Sequence, residues 1–206
     1  MKKKDNFVNN ITPQGPTIFA TFSEIISKMM TFVDNKGYQG ACYQLDSTTT
    51  LEDFDSAYIK NKATQGGVIF AINDSEFNFT KGKFRDNFGN DGAVLYAMYN
   101  SKPRALKFSD CEFTNNTADQ NLMQLMSSQA FIEDSKFIDN SATFVNHGIT
   151  MITSMTEFYS SEVTFTEGYS DKLDLEKLDC GFFSLFLSST IHIGNNSKIS
   201  NLQALN

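Results

Sequence analysis

An aromatic-x-x-Asn word returns about every 26 residues along this 206-residue chain. Short runs rich in Phe, Ile, Val and Thr alternate with clusters of Asn, Asp, Ser and Gly, and in most units a Gly leads an apolar run. Together these features predict an all-β chain wound as a parallel β-helix, a single-stranded solenoid of about six to seven coils.

The word occurs at Phe32-Val33-Asp34-Asn35, Tyr58-Ile59-Lys60-Asn61, Phe84-Arg85-Asp86-Asn87, Phe113-Thr114-Asn115-Asn116 and Phe137-Ile138-Asp139-Asn140. Weaker copies follow at Phe165 to Gly168 and at Ile199 to Leu202. Two positions past each Asn sits a small residue: Gly37, Ala63, Gly89, Ala118 or Ala142. A unit of this length holds three short strands, and stacking pairs each strand with its counterpart one coil away at about 4.8 Å. The aromatics then stack inside, and the small residues line a tight corner. Asn35, Asn61, Asn87, Asn116 and Asn140 form a structural ladder, each taking the left-handed turn and bonding along the stack. The rod is expected to be roughly 30 Å long.

Residues 1–14 read as an N-terminal arm or cap and 15–206 as the solenoid, opening mid-coil, because Gly15-Pro16-Thr17-Ile18-Phe19-Ala20 mirrors Gly66-Gly67-Val68-Ile69-Phe70-Ala71. An insertion at about 170–179, with alternating charges around Leu173, Leu175 and Leu178, is expected either to pack its leucines back on the rod or to leave it as a short helix or extended loop. Met1-Lys2-Lys3-Lys4 precedes no apolar run of signal length, and no stretch reaches the roughly 18 apolar residues of a membrane span. This segment therefore does not insert directly in a membrane. It belongs outside the cell or at the cell surface if it is part of a secreted or anchored protein, and inside otherwise. A net charge of −7 with only Arg85 and Arg104 as arginines excludes a general nucleic-acid binder. Cys42, Cys111 and Cys180 cannot all pair within one chain and read as buried or idle thiols.

The Phe-x-x-Asn words starting at Phe32, Phe84, Phe113 and Phe137, with Gly66-Gly67-Val68-Ile69, resemble the repeats of the chlamydial polymorphic outer-membrane proteins. They are also similar to β-helix repeats of protist surface proteins of the ciliate type. The resemblance runs from about Gly15 onward and implies a right-handed β-helix in a secreted or surface-exposed protein with an adhesive or organising role. The Gly-Gly half of the motif is complete only once.

Pectin-degrading enzymes share this architecture, and inverting ones need carboxylates clustered across neighbouring coils. The chain has no adjacent Asp pair and no Arg-x-Lys, and Asn146-His147-Gly148 is the nearest match to the histidine motif. No catalytic residue, metal ligand or cofactor is assigned. Asp34, Asp86 and Asp139 could form a Ca²⁺ ladder, but Lys60 and Asn115 interrupt it. Asn10, Asn73, Asn78, Asn115 and Asn195 stand in Asn-x-Ser/Thr sequons, glycosylation acceptors if the protein is secreted. Counting from each Gly, positions two and four are bulky and expected inside (Val68 and Phe70, Val94 and Tyr96), so position three should point outward. That row (Ile18, Tyr43, Ile69, Leu95, Gln124, Met151, Ser184) is a candidate contact for protein partners or neighbouring repeat domains, unless the chain's own N-terminal arm or the insertion covers it. The expected function is a non-enzymatic structural or adhesive module. The alternative is a carbohydrate-binding or polysaccharide-degrading domain, with glycan contact.

Overall fold

The computed structural model describes residues 5–142, apart from 101, 103 and 104, with their side chains. Beyond these it describes the backbone of strands at 150–153, 157–161, 164–166, 169–170, 183–185, 190–193, 198–200 and 203–204. Among the described residues there is no helix, and the strand pairings are parallel. The fold is a parallel β-solenoid.

One coil shows the plan. Ala57–Ile59 carries the motif aromatic, Lys62–Gln65 follows the motif Asn, Ile69–Ile72 follows the Gly pair, and Glu76–Thr80 returns the chain to Lys83–Arg85 one coil on. The coil has four strands, where three were expected, because the Gly66-Gly67 corner splits the run after the Asn. Gly66 has φ +61, and a Cβ there would meet the Ile69 carbonyl, so only glycine fits. The other corners also turn through left-handed residues: Lys60 (φ 56), Asn73 (φ 56), Asp74 (φ 59) and Lys81 (φ 61).

Stacking turns sequence repetition into columns. The motif strands form an eight-stranded sheet in which Phe7, Phe32, Tyr58, Phe84, Phe113, Phe137, Phe165 and Ile199 are in register. Through Phe137 the inward rings stack nearly flat, at successive centroid distances of 4.8, 5.2, 4.9, 4.9 and 4.4 Å. Each such pair contributes about 0.5–1.5 kcal/mol beyond its buried area. Phe79 and Phe108, on the inward row of the fourth strand, pack edge-on against this column. Gly37, Ala63, Gly89, Ala118 and Ala142 form a column of small residues beside it.

From Phe7 to Phe137 the chain makes five turns, fewer than the six to seven expected for the whole chain; later strands continue the same columns. Asn6–Val8 pairs in register with Thr31–Val33, and Ile11 bridges Lys36, so this part of the expected N-terminal arm already lies in the stack. The expected insertion at 170–179 falls, apart from Ser170, outside the described residues.

Candidate functional site

The motif asparagines form a buried column. Asn10, Asn35, Asn61, Asn87, Asn116 and Asn140 are linked in order: each Nδ2 donates to Oδ1 of the next, at 2.8, 2.9, 3.1, 2.9 and 2.9 Å. Each backbone N–H donates to the same oxygen, at 3.0–3.1 Å. The second Nδ2 hydrogen goes to the aromatic carbonyl of the preceding coil, as from Asn87 to Tyr58 at 2.9 Å. From Asn35 to Asn140 these side chains are buried, and from Asn35 to Asn116 their amides are fully used. The asparagines do not take the left-handed turn. That conformation falls one residue earlier, at Asp34, Lys60, Asp86, Asn115 and Asp139, with φ of 52–56°. The corner residue faces outward so that the Asn can face inward. Asp34, Asp86 and Asp139 therefore stand on a solvated corner, where Arg85 Nε lies 3.4 Å from Asp86. Among the described residues no group of three potential ligands could hold a metal ion.

The row expected to contact partners divides in two. Tyr43, Ile69 and Leu95 are fully buried, and Ile18 packs against the same core. These residues are in register with Met123, which is also buried. Gln124 belongs instead to the adjacent, outward row with Phe19, Gln44, Phe70 and Tyr96, and the Met151 backbone is in register with it. The cause is the corner. Strand alternation starts only after the Gly pair has turned, so Val68 and Ile69 both face the core and the parity moves by one residue. The outward row is covered at Phe70 and Tyr96, whose rings stack at 5.4 Å, and is open at Phe19, 56% exposed.

Apolar exposure gathers at the N-terminal end. Val8, Ile11, Phe19, Phe22 and Ile26 are exposed, and Phe7, Ile18, Ile25 and Met30 are only partly buried although they face the core. Asn6–Val8, Ile18–Thr21 and Glu24–Lys28 each pair on one side only among the described residues. The sequence offered a direct signal for this first coil. Phe7-Val8-Asn9-Asn10 is a full aromatic-x-x-Asn word, obscured by the polar residues around it.

Two other places gather polar groups. On the outside of the fourth strands, Thr50, Glu52, Glu76, Asn78 and Lys107 line a groove of about 220 Å³. Lys102 Nζ lies 2.6 Å from Glu76, and Asn78 donates to Glu52 at 3.2 Å. Inside the rod, Asp53 is 2% exposed. Its Oδ2 accepts hydrogen bonds from Ser27 Oγ and from Ser56 Oγ (2.9 Å), and Tyr43 Oη donates to Ser27 at 3.3 Å. Cys42 and Cys111 are buried free thiols; burial pushes both up, Cys111 to about 12. Of the sequon asparagines, Asn73 and Asn115 stand on exposed left-handed corners, Asn78 lines the groove and Asn10 is in the ladder. Asn195 and Cys180 lie outside the described residues. No helix among the described residues is long and apolar enough to cross a membrane. No family model, curated protein or solved structure matches the chain.

Proposed function

We propose that the chain is a non-enzymatic structural module, a right-handed parallel β-helix that forms part of a larger surface or extracellular assembly. It joins protein partners or neighbouring repeat domains by continuing the stack. The observation that carries this reading is the open first coil. Its core-facing Phe7, Ile18, Ile25 and Met30 are incompletely covered, and its three strands have no partner on their outer edges among the described residues. Asn10 Oδ1, which receives no hydrogen bond from a described residue, is positioned to accept what Asn35, Asn61, Asn87 and Asn116 accept from the coil before them. Unpaired edges of this kind recruit further strands.

The test is an added coil. A copy of residues 31–56 placed directly ahead of Asn6, in place of residues 1–5, should stack in register and raise the thermal midpoint by several degrees. The same coil with Leu at its ladder position should raise it less. An unchanged midpoint, or an added coil that stays open to protease, argues against stacking.

The groove at Glu52, Glu76, Asn78 and Lys107 favours a second reading, contact with a glycan through paired carboxylates and amide groups. A glycan array together with a reducing-end assay on polysaccharides decides it: a hit that E52Q abolishes supports the second reading over the first.

A further inference from the structure

We propose that the Asp53 cluster makes the first two coils a pH-sensitive end of the rod, closed while the carboxyl carries a proton and loosened when it is ionised. This inference is independent of the stacking role.

Asp53 stands on the inward row of Thr50–Phe54, between Ser27 in the coil before and Phe79 in the coil after. In the next three coils this row is aromatic or aliphatic: Phe79, Phe108 and Ile132 are all buried. Two serine hydroxyls satisfy Oδ2, while Oδ1 is buried without a partner. Tyr58 Oη is also buried without a well-formed hydrogen bond, and it lies within electrostatic reach of the same carboxyl. A proton on Oδ1 removes the buried charge, whereas an ionised carboxyl has only neutral hydroxyls around it. The titratable groups that face or influence the carboxyl are Tyr43 from the strand after Gly40, Tyr58 from the motif strand, Cys42 and Cys111 from corners, and Asp55 from its own corner. None of these is a cation. An ionised Asp53 would therefore be a buried charge without a counter-ion, which is strongly disfavoured.

Burial raises the Asp53 pKa above its ordinary 3.8, and the hydrogen bonds from Ser27 and Ser56 with the nearby Tyr58 hydroxyl only partly offset this. For a carboxyl raised on folding, the native state holds the extra proton. The stabilisation is complete below the unfolded-state pKa and is lost as pH rises through the folded-state value. That sign is opposite to ordinary acid denaturation. The serines tie the first coil to the second, so loosening falls on Glu24–Lys28 and Thr50–Phe54 first.

The test is hydrogen exchange on the full chain from pH 4.5 to 8, corrected for intrinsic rates, with wild type and D53N in parallel. In wild type, protection at residues 24–60 should fall as pH rises, by up to tenfold per pH unit within the titration window, and by more than at residues 105–138. D53N keeps an acceptor for both serines and should remove this slope. D53S, smaller and also neutral, gives a second readout if D53N does not fold. A wild-type slope that persists in the neutral variants, or is absent in wild type, overturns the proposal.

Discussion

Asn87 shows how much one side chain does in this fold. It accepts from both nitrogens of Asn61 and donates to Asn116 and to the Tyr58 carbonyl, all in the buried interior. Asn87→Ala leaves two buried donors unmet at about 1–3 kcal/mol each, so a loss of about 3 kcal/mol is expected in a urea titration. The residue one position before each ladder Asn behaves oppositely. Lys60 sits exposed at φ 56, a conformation that costs an L-residue roughly 1–2 kcal/mol. Lys60→Gly should therefore be neutral or stabilising, by up to about 1 kcal/mol, in the same titration. The ladder was legible in the sequence because repeated Asn at one offset has few other causes. The left-handed residue was not, because that position varies among Asp, Lys and Asn: backbone geometry constrains it, and side-chain contacts do not.

At the scale of strands and corners, alternation is reliable only once the start of a strand is known. The run Gly66-Gly67-Val68-Ile69-Phe70 reads as a strand from its first residue, yet the strand begins at Ile69, and a one-residue error exchanges the two faces. Tyr43, Ile69 and Leu95 thus belong to the core. The lysine substitutions that would probe a contact surface, Ile69→Lys and Leu95→Lys, should instead prevent folding, visible as loss of a cooperative thermal transition. The same packing governs the thiols. Cys42 and Cys111 are buried and their ionisation is pushed up, so both should react with a thiol reagent at neutral pH only as fast as the chain opens. Asp53 was legible in principle. It alternates with Leu51 as Phe79 does with Phe77, and a carboxylate in step with aromatics is the sign of a buried acid.

Across the whole molecule, each coil is nearly a copy of its neighbours, so stability is a sum of repeat and interface contributions, and the ends have fewer of the latter. The first coil illustrates this, with Phe7 and Ile18 only partly buried beside a second coil whose equivalents Phe32 and Tyr43 are fully buried. The amide column adds a property that no single coil has. Every Oδ1 from Asn35 to Asn140 is turned toward the N-terminal end and every bridging Nδ2 toward the C-terminal end. The side-chain dipoles therefore add head to tail and polarise one another, like backbone dipoles in a helix. The rod is a vector, negative at its first coil. Two copies brought together by their first coils would set oxygen against oxygen, so this column permits growth in one direction and opposes mirror-like pairing.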